Sequence, residues 1–137
     1  MLKIVLDEGA FPIARAHSLD AGYDVKSPVD VIVPGGGNAV IDTGVHVAIP
    51  VGHVGMIKSK SGLNVNYDIQ SEGVIDSGYV GSIKVKLYNH GKQDYFVSRG
   101  DKITQLVVRE CVRDDVEIVD KLPDSERGEN GFGSTGK

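Results

Sequence analysis

The sequence predicts an all-β domain, on three observations. Eighteen glycines and five prolines cut the 137 residues into short apolar runs. No window of ten or more residues keeps helical spacing without a break. The runs themselves are rich in Val and Ile, which suit a pleated, half-buried surface. In order they are LKIVL (2–6), VDVIV (29–33), VHVAI (45–49), VGMIKSK (54–60), SIKVKLY (82–88), DYFV (94–97) and KITQLVV (102–108). In SIKVKLY, Ile83, Val85 and Leu87 share one face and Ser82, Lys84, Lys86 and Tyr88 the other, the pattern of a strand with one face on the core. In KITQLVV both faces are largely apolar, and Gln105 shares a face with Ile103 and Val107. A buried amide needs hydrogen-bond partners, so Gln105 belongs either to a core network or to a site. PGGGN (34–38) reads as a loop and NHGK (89–92) as a hairpin turn.

After VEIVD (116–120) the composition changes to KLPDSERGENGFGSTGK, almost without apolar residues apart from Leu122 and Phe132. Such a segment cannot bury itself. We therefore expect one folded domain over residues 1–120 and a flexible arm over 121–137, with the solitary Phe132 docking elsewhere. The closing GFGSTGK fits G-x-x-x-x-G-K, a phosphate-binding loop as far as its lysine, but without the helix whose N-terminus holds the phosphates.

Composition narrows the function. A net charge of −4 supplies no broad basic footprint for duplex nucleic acid. Cys111 is the only cysteine, so neither an internal disulfide nor a cysteine zinc site can form, and a reducing compartment suits the chain. The opening MLKIVLDEGAF is too short for a secretory signal core, and no run nears the ~18 apolar residues of a membrane span. The expectation is a cytoplasmic protein with no membrane association and no direct nucleic-acid binding. His17, His46, His53 and His90 do not stand at metal-ligand spacing, and neither Cys111 nor KSKSG carries the signature of a catalytic nucleophile.

Four clusters besides the arm carry chemistry, all read as loop-borne. DAGYDV (20–25) places Asp20 and Asp24 around a glycine. KSKSG (58–62) joins cations, hydroxyls and a glycine at a strand end. GVIDSGYVG (73–81) encloses Asp76 and Tyr79, and RGDK (99–102) adds charge beside Gln105. A polyphosphate site needs this inventory: cations, hydroxyls, glycines that admit backbone N–H groups, and a carboxylate for Mg²⁺. Singly, Asp24 could be a turn residue, Lys60 a solvated strand end and Asp76 an Asx-turn former.

Together and in this order, DAGYDV, KSKSG, GVIDSGYVGSIKVKLYN, GDKITQLV and RGENGFGSTG resemble the five motifs of the homotrimeric dUTPase family, over residues 20–136. The resemblance implies a jelly-roll-like β-barrel (a β-clip) that forms homotrimers with shared active sites and a flexible C-terminal arm. It implies Mg-dependent hydrolysis of dUTP to dUMP and pyrophosphate. Asp76 would be the base for the water attacking the α-phosphorus, and Asp24 would hold Mg²⁺ through water. A carboxylate of ordinary acidity is a weak base, so positioning and charge neutralisation must supply most of the acceleration.

By the same resemblance, Lys60, Ser61, Gly62 and Gln105 would meet the phosphates, joined by Arg127, Gly133, Ser134 and Thr135 of the arm, with Phe132 stacking on the uracil. The backbone of a hairpin at Gly73, Val74 and Ile75 would pair with the uracil edge. Tyr79 would exclude a 2′-hydroxyl, and Gln70 and Lys84 would line the site. Lys60 and Lys102 depart from the family's usual arginines, keeping charge but losing two-pronged donor geometry. Asn130 replaces a more usual glycine. Two other readings are a dCTP deaminase-like enzyme of the same fold and a phage-type member with an added regulatory role.

Overall fold

A computed structural model describes residues 1–133, 135 and 136. Its strands are β1 (Lys3–Leu6), β2 (Gly22–Lys26), β3 (Val31–Val33), β4 (Asn38–Ala48), β5 (His53–Lys58), β6 (Ile69–Gln70), β7 (Glu72–Ile75), β8 (Ser82–Asn89), β9 (Tyr95–Val97) and β10 (Lys102–Glu110), with a short helix α1 (Ser61–Tyr67) after β5. They form two four-stranded sheets, β1-β4-β8-β6 and β2-β10-β5-β7, and a ribbon β3-β9. One core lies between them. Val85 and Leu87 enter it from the first sheet, Ile57 and Leu106 from the second, and Val33 and Val97 from the ribbon. The all-β, jelly-roll-like expectation holds, with open sheets packed face to face.

The alternation read in β8 is borne out: Ile83, Val85 and Leu87 are buried while Lys84 and Tyr88 are exposed. Elsewhere tertiary structure overrides the local pattern. DAGYDV is not a loop, because its last four residues lie in β2, held against β10 with Asp24 facing Gln105. Gln105 does not share a face with Ile103. Lys102 pairs with Lys26 and Thr104 with Val25, so Ile103 is the extra residue of a β-bulge, and Ile103 and Thr104 both enter the core. NHGK is not a hairpin turn, since β8 pairs with β4 and β6 whereas β9 pairs with β3. The Asn89 amide donates to Val33 O and Gln93 O, and its oxygen accepts from Gly91 N–H, which turns the chain from sheet to ribbon.

Helix α1 is shorter than any window that periodicity resolves. It stops at Asp68, which takes a left-handed φ of 57° and donates its N–H to Leu63 O. Beyond β10 the described residues contain no further strand, and 112–130 are exposed throughout. No described helix is long and apolar enough to cross a membrane.

Candidate active site

Asp24 lies on β2 at the end of the second sheet, its side chain 11% exposed and held between two ammonium groups, Lys60 Nζ and Lys102 Nζ, the latter at 2.7 Å. Burial pushes its carboxyl up, but hydrogen bonds from Lys102 and Lys60, together with their charges, hold it below the usual carboxylate range. The stabilisation this pairing gives the fold is therefore present above the ordinary carboxylate pKa and is lost as pH falls through the lowered one. Lys60 and Lys102, 42 positions apart in sequence, thus meet on one carboxylate.

Gln105, half-buried on β10, donates its amide to Ser59 O at 3.0 Å. It lies over Gly22, where an added Cβ would stand 2.2 Å from its Oε1. A side chain at this glycine of DAGYDV would thus push the Gln105 amide from its place. Beneath Lys60, hydroxyls form a buried network: Ser71 Oγ and Thr104 Oγ1 are 2.7 Å apart, Thr104 donates to Lys58 O, and Ser59 exchanges bonds with the Ser71 backbone. Sequence reasoning missed Ser71 and Thr104. Ser71 lies between β6 and β7, where no alternation points inward, and at Thr104 the available signal, a polar residue at an inward strand position, was hidden by the bulge. Ser61 and Gly62 open α1, whose first-turn N–H groups have no partner within the helix and suit an anion beside Lys60.

A second cluster surrounds Asp76. A cavity of about 200 Å³ is lined by Val74, Ile75, Asp76, Tyr79 and Lys84. Here the hairpin expectation is corrected: the two arms belong to different sheets, β7 pairing with β5 and β8 with β4 and β6. Because β7 is the outermost strand of its sheet, one edge of Gly73, Val74 and Ile75 carries unpaired backbone groups. The Tyr79 hydroxyl donates to Ser82 O at 2.8 Å, and the ring lies so close to Gly81 that a Cβ there would be 2.5 Å from the hydroxyl oxygen.

One chain does not join these clusters. Ile75 pairs with Gly55 and Glu72 with Lys58, so Asp76 and Lys60 project from opposite ends of the β5-β7 pair, on the order of 20 Å apart along the strands. Gln70 stands outside the Asp76 cavity, on β6 opposite Tyr88, where its Oε1 is 2.8 Å from His90 Nε2. The arm is also apart: Phe132 is fully exposed, Thr135 is exposed, and Arg127 Nε donates locally to Asn130 O. Left-handed conformations fall at Gly128, Phe132, Gly133 and Gly136 and not at Asn130. Ser134 lies outside the described residues.

No group of three or more His, Cys, Asp or Glu suited to a metal occurs among the described residues. A lone carboxylate flanked by cations cannot cage a bare ion, but it can accept hydrogen bonds from the waters of a Mg²⁺ carried by phosphate oxygens.

Comparison with known proteins gives a consistent outcome. A family model described as dUTPase matches residues 10–136. The deoxyuridine 5'-triphosphate nucleotidohydrolase of Eremothecium gossypii is 43% identical over 138 residues, covering 98% of this chain and 90% of the relative. That of Paramecium bursaria Chlorella virus 1 is 41% identical over 137 residues, covering 99% and 96%. Among solved structures, a mutant of the Staphylococcus bacteriophage 80alpha dUTPase with dUpNHpp aligns with a TM-score of 0.90 at 30% identity, covering 100% of this chain and 99% of that one. A mutant dUTPase from phage phi11 of S. aureus, described for its coordination of a structural Mg(II) ion, aligns with a TM-score of 0.83 at 29% identity, covering 88% and 97%.

Proposed function

The chain belongs to the dUTPase family, and from that premise we propose that it hydrolyses dUTP to dUMP and pyrophosphate at a site shared between copies of the chain. The observation that carries this reading is the Asp76 cavity, where one carboxylate, one phenol and one cation meet the open edge of a strand. The free backbone groups of Gly73, Val74 and Ile75 would pair with the uracil edge. Cytosine exchanges donor and acceptor at position 4 and would leave such groups unpaired, a discrimination that hydrogen-bonding sites achieve well. The Tyr79 ring, fixed by Ser82 and crowded by Gly81, would lie against the deoxyribose and exclude a 2′-hydroxyl.

Asp76 would orient a water on the α-phosphorus and take its proton as the P–O bond to the pyrophosphate breaks. Lys60, Ser61, Gly62 and Gln105 would hold the phosphates. Since one chain keeps them on the order of 20 Å from Asp76, they would come from a neighbouring copy, in keeping with a homotrimer. Bound Mg²⁺ would neutralise phosphate charge, with Asp24 accepting hydrogen bonds from its waters. The folded domain would span 1–120, and the arm 121–137 would bring Arg127, Phe132, Gly133, Ser134 and Thr135 over the nucleotide. Gln70 and Lys84 would line the base and sugar ends. A lone exposed Cys111 suits a reducing, cytoplasmic setting.

The test is pyrophosphate release from dUTP, dCTP, dTTP and UTP, with and without Mg²⁺. Turnover of dUTP alone, with Mg²⁺ required, is expected; equal turnover of dCTP would overturn the reading. Gly22→Ala provides a finer check on the phosphate cluster. The new Cβ must displace the Gln105 amide from Ser59 O, so KM for dUTP should rise about fivefold, the worth of one hydrogen bond, with kcat nearly kept. An unchanged KM would remove Gln105 from phosphate binding.

A further inference from the structure

We propose that His46 is a positioning residue for this reaction: its ring fastens the 76–82 loop, which carries Asp76 and Tyr79, to the segment that follows β1. The inference rests on the roles given above to those two residues. His46 Nδ1 lies 2.8 Å from Val80 O, and Nε2 lies 3.1 and 3.2 Å from the two carboxylate oxygens of Asp7. Asp7 is itself anchored, its N–H donating to Gly44 O at 2.8 Å. An irregularity in β4 between Asp42 and His46 brings His46 opposite Ser82, where the loop enters β8. The loop's other bonds are Tyr79 N–H to Asp76 O, the Tyr79 hydroxyl to Ser82 O and the Ser82 hydroxyl to Asp42. The first two lie within the loop, so they hold its shape without fixing it to the rest of the molecule.

Both partners of the ring are acceptors only, so both nitrogens must carry hydrogen, and only the imidazolium satisfies both at once. The Val80 carbonyl and then the hydrogen bond to Asp7 raise the ring's pKa against the opposing effect of burial, and the charges of Asp7 and Asp42 add to the rise. The charged groups around it are Asp7 beyond β1, Asp42 on β4, Lys3 on β1, which lines the same cavity as His46 and Val80, and Lys84 on β8, which acts on Asp42. The sign follows. The double fastening is complete below the raised pKa and is lost as pH rises through it.

The test uses the full chain with dUTP and follows kcat and KM against pH. His46→Asn places an amide nitrogen near Nδ1 and keeps the bond to Val80. His46→Gln reaches the Nε2 position and keeps only Asp7, and His46→Phe keeps neither. His46→Gln and His46→Phe should lower kcat/KM about fivefold, mainly through kcat, whereas His46→Asn, which keeps the Val80 bond alone, should fall between them and the wild type, near the level the wild type reaches above the ring's pKa, with no pH response of its own. In the nucleotide-free wild type, the backbone amide NMR signals of Tyr79 and Val80 should titrate in step with the His46 ring, and they should not do so in His46→Asn. Equal losses in His46→Asn and His46→Phe, an unaffected His46→Phe, or amides that ignore the ring's titration would each overturn the proposal. The NMR titration needs no folded His46→Phe. A wild type inactive on dUTP would instead count against the function, leaving the fastening to be decided by the titration.

Discussion

Asp76→Asn is expected to lower kcat for dUTP by about 10³-fold while leaving the affinity for a non-hydrolysable dUTP analogue within about threefold of wild type. The carboxylate is exposed at the edge of its cavity, so an amide of equal size removes a proton acceptor without opening the core. The neighbours that would hold the nucleotide, Tyr79, Lys84 and the β7 edge, stay in place. Single-turnover kinetics beside equilibrium titration with the analogue separates the two quantities. Residual turnover above about a tenth of wild type would take the base role from Asp76, and a parallel loss of binding would make it a ligand of the nucleotide.

Deleting residues 127–137 should leave the thermal midpoint unchanged and lower kcat about 100-fold, an effect on the scale of losing a set of positioning contacts. Among the described residues of the deleted segment none is buried, and Phe132 is fully in solvent, so its removal should cost the fold little. Its chemistry acts only where it closes over a nucleotide and excludes water. The decisive measurement co-expresses the truncated chain with Asp76→Asn. Each is nearly inactive alone, yet mixed assemblies should recover activity far above their sum, because one chain supplies Asp76 and another the arm. Unchanged kcat in the truncated chain would make the arm a passive tail, and failure of complementation would place Asp76 and the arm on the same chain at each site.

The strands whose two faces differ most were legible in the sequence. SIKVKLY states its own burial because apolar and polar residues alternate without interruption. DAGYDV does not announce a strand, since its glycine and carboxylate mimic a turn; the glycine leaves room for Gln105 from β10. The bulge at Ile103 was equally hidden. One extra residue leaves the sequence pattern intact and changes only which face each side chain takes. Helix α1, seven residues long, is too short for periodicity to announce.

The chemistry of the site was legible as residue types in order: two motif carboxylates, lysines with hydroxyls and glycines, a phenol, and a glycine-rich arm around one phenylalanine. What they do to one another was not, because pairing across 36 residues between Lys60 and Asp24, or between His46 and the Val80 carbonyl, depends on strand register. By itself the sequence determined an all-β fold, its membership in a family and the inventory of groups available to a nucleotide triphosphate. Only the tertiary structure decided that two lysines converge on Asp24, that the open edge of β7 lies beside Asp76, and that the two clusters lie at opposite ends of the β5-β7 pair. The physical reason is that composition and alternation are local properties of the chain, whereas register, bulges and sheet order are set by which surfaces pack together.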